Sequence, residues 1–359
     1  MIFDSPCFDE HQRVVFCADE ASGLKAIIAV HSTALGPAAG GCRMWPYKSE
    51  QEALTDVLRL AKGMSYKNAM ADLPLGGGKA VIIGDAKTDK TPERLRAFGR
   101  AVQNLCGLYT TAEDVGMTPE DMAIIATETQ YVAGLAKGRN ASGDPSEATA
   151  LGVFVGIKAS VAHHLGAPHI SGRMVAVQGL GNVGWHLCEL LHAAGAKLIV
   201  TDINKSRIHD AVAHFGATGV APEAIYDAET DVFAPCALGS ILNEDTMSRL
   251  KVGVIAGSAN NQLADGQIGY DLAARGILYA PDYVINAGGV INASGEILGS
   301  YDPAAARRKV MTIGETLTDI YRSSEKWRVP PHEAADRMAK AKLRQGRAQT
   351  AKLLQPTAA

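Results

Sequence analysis

A β-rich run, Met174 to Val177, leads into three glycines spaced G-x-G-x-x-G: Gly179, Gly181 and Gly184. A helical pattern, Trp185 to Ala194, follows, and then a second strand, Lys197 to Thr201, which ends in Asp202. Strand, glycine turn, helix, strand and acid form the context in which this spacing specifies dinucleotide binding. Gly179 makes the tight turn, Gly181 lets the backbone approach a pyrophosphate, and Gly184 lets helix and strand pack closely. Asn182 and Val183 stand at the start of the helix, where free N–H groups and the positive dipole end favour phosphate. Asp202 is placed to accept hydrogen bonds from a ribose diol, and its charge repels a 2′-phosphate, so the expected cofactor is NAD rather than NADP. Without these flanks the same glycines would serve in an ordinary βαβ unit that binds nothing.

The chain of 359 residues is long enough for about two domains, and its hydrophobic fraction of 47% supplies ample core. A net charge of −3 without a long basic run argues against nucleic acid or an anionic membrane as partner. The start, Met-Ile-Phe-Asp-Ser-Pro, has neither a cationic nor an apolar leader region, and no apolar run approaches the ~20 residues that span a bilayer. Six cysteines form no C-x-x-C pair and no ligand cluster with histidine, so scattered reduced thiols, a cytoplasmic location and no metal site are expected.

Before the fingerprint, Arg13–Cys17 and Leu24–Val30 read as strands, and Gly36 to Arg43 reads as a loop. A helix is expected from Glu50 to about Ala71, capped by Ser49 with Glu52 as its capping-box partner. Leu75-Gly-Gly-Gly-Lys79 precedes a strand, Ala80–Ile83, and a helix begins at Pro92. Lys137 to Pro145 is a turn-rich connector. It sets the expected domains, residues 1–140 and 141–326, the second for NAD, with a C-terminal helix, about 327–359, packing back onto the first. After the fingerprint, strands alternate with helices to about Ala280, which argues a parallel, doubly wound sheet. One long helix, Pro303 to Lys326, and a polar one, Pro331 to Arg347, finish the pattern. The fold class is α/β, an N-terminal α/β domain joined to a Rossmann-type domain with a cleft between them.

Two lysines carry possible chemistry. Lys67 lies late in an otherwise apolar helix, and Lys79 follows three glycines and precedes an apolar strand. Desolvation and a second nearby cation lower a lysine pKa, which is how a lysine becomes a general base. Either lysine alone reads first as a surface charge, and it is the pairing that points to chemistry. Asp114, at the end of a short strand, could shuttle protons, or could be a turn aspartate.

Six blocks carry a resemblance. Gly36-Pro-Ala-Ala-Gly-Gly-Cys-Arg43, Lys62-Gly-Met-Ser-Tyr-Lys67, Leu75-Gly-Gly-Gly-Lys79, Ala112-Glu-Asp-Val-Gly116, Gly257-Ser-Ala-Asn-Asn261 and Asn286-Ala-Gly-Gly289 run in unbroken order. Together they resemble the signature blocks of the glutamate/leucine/phenylalanine/valine dehydrogenase family, closest to its leucine branch. The resemblance implies that Lys67 binds the substrate carboxylate, with Met64, Gly40 and Gly41 beside the substrate. It implies Lys79 as general base and Asp114 as the proton-transfer acid. Thr149 and Asn261 would lie near nicotinamide and substrate, and Cys236 and Ala237 beside the adenosine. Ala39, Ala112, Val290 and Ala293 would line the side-chain pocket. Glutamate-specific members carry a lysine where this chain has Ala39, and an unpaired buried carboxylate would cost several kcal/mol.

The expected activity is therefore reversible, NAD-dependent oxidative deamination of an apolar L-amino acid, branched-chain preferred, to a 2-oxo acid and ammonia. Ala39 and Ala293 are small enough to leave room for an aromatic side chain, so a phenylalanine or other aromatic amino acid dehydrogenase is the alternative. A non-catalytic NAD-binding sensor is a remote third. A homo-oligomer, from dimer to octamer, is expected from the family, and the resemblance assigns substrate binding, catalysis and oligomerisation to residues 1–140.

Overall fold

A computed structural model describes residues 2–138, 140–167 and 169–353. They form two compact units. The first takes the chain up to Asp144, with Ala293–Pro303 and the chain from Ala339 onward; the second takes Pro145–Asn292 and Ala304–Met338.

The first unit contains β1 (Arg13–Asp19), β2 (Leu24–Ser32), β3 (Ala38–Trp45), α1 (Glu50–Met70), β4 (Gly76–Ile83), α2 (Pro92–Gln103), β5 (Tyr109–Glu113) and α3 (Pro119–Ile125). The sheet order is β1-β2-β4-β3-β5. β1, β2 and β4 are antiparallel in succession, and β3 runs parallel to both β4 and β5. Strand alternation divides β2 between two cores. Ile27 and Ala29 pack with Val57, Leu58 and Ala61 of α1, while Ile28 and Val30 pack with Phe98, Val102, Met122 and Ile125 on the other face. This double burial is why β2 reads as a continuous apolar run.

Two expectations need correction here. Ala38 to Arg43, expected within a loop, belongs to the strand β3, and the three glycines before Lys79 lie inside β4 rather than ahead of it. Glycine is normally depleted in strands, but here it admits the helix above. A side chain at Gly77 would run into the backbone and hydroxyl of Ser65 in α1. The Ser49 cap is present, its Oγ accepting from the Glu52 N–H at 3.1 Å, but the Glu52 carboxylate accepts from Lys48 N–H instead of closing the box on Ser49.

The pairing of β2 with β4 shifts register between Val30 and Ser32. His31 sits at that irregularity, buried, with Nδ1 2.7 Å from the Ser65 hydroxyl. Burial, helped by the neighbouring His11, lowers its pKa from 6.5 to about 4. The folded state thus binds the proton less readily than the unfolded chain. Stability is expected to be intact above about pH 6.5 and to fall as pH drops toward 4, by up to about 3 kcal/mol. Thermal melts at pH 7.5 and pH 5 check this; the acid loss should shrink in His31→Gln, and an unchanged loss would contradict it.

The second unit begins with α4 (Ser146–His164) and continues through β6 (Met174–Gln178), α5 (Asn182–Ala193), β7 (Lys197–Thr201), α6 (Lys205–Phe215), β8 (Thr218–Gly219), β9 (Val232–Pro235), α7 (Glu244–Arg249), β10 (Val254–Ile255), α8 (Gly266–Ala274), β11 (Leu278–Tyr279) and α9 (Asp282–Ile285). Its sheet is parallel throughout, in the order β11-β10-β9-β6-β7-β8. Counted from β6, that is the 3-2-1-4-5-6 order of the dinucleotide-binding fold, with the strand order reversing between β6 and β9.

The remaining helices are α10 (Gly288–Ile297), α11 (Pro303–Met311), α12 (Ile313–Trp327) and α13 (Pro331–Leu353). The single helix expected over 303–326 is two. The Thr312 hydroxyl donates to the Lys309 carbonyl at 2.8 Å, an alternative partner to the helical ladder. On α13, Lys342 pairs with Asp72, and Arg347 pairs with Glu10 at 2.8 Å. Positions 354–359 of the expected tail helix lie outside the described residues. No helix among the described residues is long and apolar enough to cross a membrane.

Candidate active site

In the first unit, three neighbouring strands place one acid between two cations. Lys79 projects from β4 and is 6% exposed. Its Nζ lies 3.1 Å from Oδ2 of Asp114, the residue after β5. Arg43 of β3 brings Nε to the same oxygen, also at 3.1 Å. Burial alone would raise the Asp114 carboxyl; Lys79 and Arg43 override it and hold the pKa at about 2, so the group is an anion throughout the neutral range. The Arg43 Nη1 reaches on to Asp56 of α1 at 2.9 Å, and the Tyr47 hydroxyl donates to that same Asp56 oxygen at 2.6 Å.

Glycine makes this convergence possible. β3 lies between β4 and β5, so Asp114 must reach across it to meet Lys79. A Cβ on Gly41 would stand 2.6 Å from the Glu113 carbonyl oxygen and 2.8 Å from the Asp114 Cβ. On Gly40 it would stand 2.9 Å from Cγ of Met64. The buried Tyr109 hydroxyl donates to the Gly40 carbonyl at 2.7 Å. Register pairs are formed at Ala39–Gly77 and again at Cys42–Ala80, so the β3–β4 ladder is interrupted at these two glycines.

Met64 and Lys67 are half-buried and three residues apart on α1, hence on one helix face. Ala39 is fully buried in β3, and Ala112 stands opposite Gly41 in β5. Val290 and Ala293 are likewise three apart on α10, both half-buried. The sequence raised no expectation of that helix, which opens on Gly288 and Gly289.

In the second unit, the loops after β6 and β9 meet where the strand order reverses. Gly179 has φ +95, and a Cβ there would lie 2.8 Å from that of Ala237. A Cβ at Gly184 would run into the Gly179 carbonyl. At Gly181, by contrast, the nearest atom to such a Cβ is the Arg207 guanidinium at 3.9 Å, which leaves open space beside the helix N-terminus. Gly181 is the N-cap of α5, and no side chain caps its first N–H groups. Asp202 Oδ2 accepts from the Leu180 N–H at 2.6 Å, which ties the acid to the glycine loop. These features fit a dinucleotide. The Thr149 hydroxyl donates to the Pro145 carbonyl at 2.9 Å, and a Cβ on Gly289 would lie 2.9 Å from Thr149 Oγ1. Asn261 has φ +50, an uncommon conformation for a side-chain-bearing residue and one that clusters at functional sites.

Four residues beside these sites drew no functional expectation. Arg43 and Asp56 share the Asp114 network, and Ile203 and Leu238 are 95% and 73% exposed immediately after Asp202 and Ala237. Their exposure beside the glycine turn is a property of the folded chain and has no counterpart in the sequence pattern.

A family model described as Glu/Leu/Phe/Val dehydrogenase, dimerisation domain, matches residues 11–131, and one described as Glutamate/Leucine/Phenylalanine/Valine dehydrogenase matches residues 142–213 and 200–348. The chain belongs to this family and is an amino acid dehydrogenase. The leucine dehydrogenase of Geobacillus stearothermophilus is 54% identical over 334 residues, covering 93% of this chain and 91% of that protein. The phenylalanine dehydrogenase of Caldalkalibacillus thermarum is 48% identical over 339 residues, covering 93% and 91%. Among solved structures, L-tryptophan dehydrogenase from Nostoc punctiforme superposes with a TM-score of 0.84 at 45% identity, covering 94% of this chain and 97% of that one.

Proposed function

We propose that this chain catalyses the NAD-dependent oxidative deamination of apolar L-amino acids, leucine and its branched-chain relatives first, to the 2-oxo acid and ammonia, and the reverse reductive amination. The observation that carries this reading is the Lys79–Asp114 ion pair, set in a chain 54% identical to a leucine dehydrogenase. Lys67 binds the substrate carboxylate, with Met64, Gly40 and Gly41 alongside. Lys79 takes the proton from the water that attacks the iminium carbon. Asp114 carries protons between the substrate nitrogen and that water. Bound NAD would supply the hydride acceptor. The Gly179–Gly184 turn with Asn182 and Val183 would hold its pyrophosphate, and Asp202 its adenosine ribose. Ile203, Cys236, Ala237 and Leu238 would flank the adenosine, with Thr149 and Asn261 toward the nicotinamide.

Ala39, Ala112, Val290 and Ala293 offer the substrate side chain only apolar surface. One or two methylenes in such a pocket discriminate by about 1–3 kcal/mol, so activities on leucine, valine and phenylalanine should overlap. An aromatic amino acid dehydrogenase is the second reading, favoured by the small Ala39 and Ala293. Initial rates of NAD reduction with leucine, valine, phenylalanine, tryptophan and glutamate decide between them. Leucine or valine is expected to give the highest kcat/KM, with glutamate lower by about 100-fold or more. Phenylalanine or tryptophan ranking first supports the second reading, and glutamate ranking first overturns both. We also propose a homo-oligomer in the cytoplasm: the model matching residues 11–131 is a dimerisation domain, and scattered unpaired cysteines suit a reducing compartment.

A further inference from the structure

The proposed reaction asks Lys79 to exist without its proton while a carboxylate lies 3.1 Å away. If Lys79 were the sole counter-ion of Asp114, losing that proton would leave a buried carboxylate unpaired, which is costly in a low-dielectric surround. The geometry supplies a second cation. Arg43 Nε meets the same Asp114 oxygen at the same distance, and a guanidinium does not deprotonate in proteins. Arg43 is itself held from the far side, where its Nη1 meets Asp56 at 2.9 Å and Tyr47 braces that carboxylate at 2.6 Å. It cannot swing away without giving up both anions.

Resting on the reaction proposed above, we propose that Arg43 is a positioning residue of this centre: it is the permanent counter-ion of Asp114, and so lets Lys79 surrender its proton without stranding the acid. Lys67, the other cation proposed for this centre, is committed to the substrate carboxylate, and the titratable neighbours of the pair do not take over this task. Cys42 and Tyr109 are buried in the sheet and their pKa values are pushed up, so both stay neutral. Tyr47, raised likewise, stays a neutral donor to Asp56. Glu113, the last residue of β5, is an acid whose pKa burial raises, and it offers Asp114 no positive charge.

The sign of the effect follows. Removing Arg43 leaves Asp114 to Lys79 alone and also removes a like charge from beside Lys79. Both changes favour the ammonium form. The rise of the oxidative rate with pH should therefore move to higher pH.

The experiment compares wild type, Arg43→Met and Arg43→Lys in full-length protein, recording kcat against pH for leucine with NAD, the leucine KM and the NAD Kd. Arg43→Met is expected to lose about 100-fold in kcat at neutral pH, with its alkaline rise displaced upward by about one pH unit or more and the NAD Kd unchanged. Arg43→Lys keeps a cation at the site and should regain most of the rate and return the profile toward wild type. If Arg43→Met does not fold, Arg43→Gln, which keeps a polar side chain between the two carboxylates but no charge, should show the same upward displacement. An Arg43→Met enzyme that folds and keeps the wild-type profile overturns the proposal. So does an Arg43→Lys enzyme no better than Arg43→Met, or an Arg43→Gln profile identical to wild type. Wild-type protein that reduces no NAD with any amino acid would instead overturn the reaction on which the proposal rests.

Discussion

Lys79→Ala is expected to lower kcat by about a thousandfold, the range a positioned general base supplies, while NAD binding stays near wild type. The two properties separate because Lys79 belongs to β4 of the first unit, whereas the loops proposed to hold NAD follow β6 and β9 in the second. The fold should survive the change, since Arg43 still reaches the Asp114 oxygen at 3.1 Å and leaves no orphaned carboxylate. Steady-state rates for leucine, together with NAD titration by fluorescence, check both halves. Near-normal turnover would remove Lys79 from the role of base.

Gly41→Ala should lower kcat by about 100-fold without replacing a single ionisable group. Its new Cβ would stand 2.6 Å from the Glu113 carbonyl and 2.8 Å from the Asp114 Cβ, closer than real Cβ contacts come. The neighbours are backbone and the first atom of the acid, so nothing flexible can yield. Asp114 must move away from Lys79. A displacement of about 1 Å in a reacting group can cost about 100-fold, and kcat should fall by that order. The leucine KM should rise as well, because Gly41 lies beside the proposed substrate position. A Gly41→Ala enzyme with wild-type kcat would mean that the reach of Asp114 across β3 has no bearing on the reaction.

How far such features are legible in sequence depends on whether the physics is local. The second unit declares itself because β6, β7, β9, β10 and β11 lie in short apolar runs each followed by a helix, and the glycine turn sits at a strand–helix junction; β8, an exposed Thr218–Gly219 pair, carries no such signal. Asp114 and Lys79 stood out as residue types, but their meeting depends on a sheet order, β4-β3-β5, that brings strands distant in sequence together. The strand identity of Ala38–Trp45 was hidden by its glycines, which oppose β structure until a close-packed helix makes small residues necessary. α10 was hidden in the same way, since Gly288 and Gly289 permit its N-terminus to lie against Ala148 and Thr149. Arg43 was visible only as one letter of a motif. Its significance lies in contacts to Asp56 and Asp114, the second of them 71 residues away, which no periodicity encodes.

The most direct measurement is the kcat of the double variant Lys79→Ala/Asp114→Asn set against each single variant. Residues that act as a unit are strongly non-additive. If the pair is one reaction centre, each single change should lower kcat steeply, and the double should be little worse than the more damaging single. Losses that simply multiply, or a single variant that keeps wild-type turnover, would contradict the account.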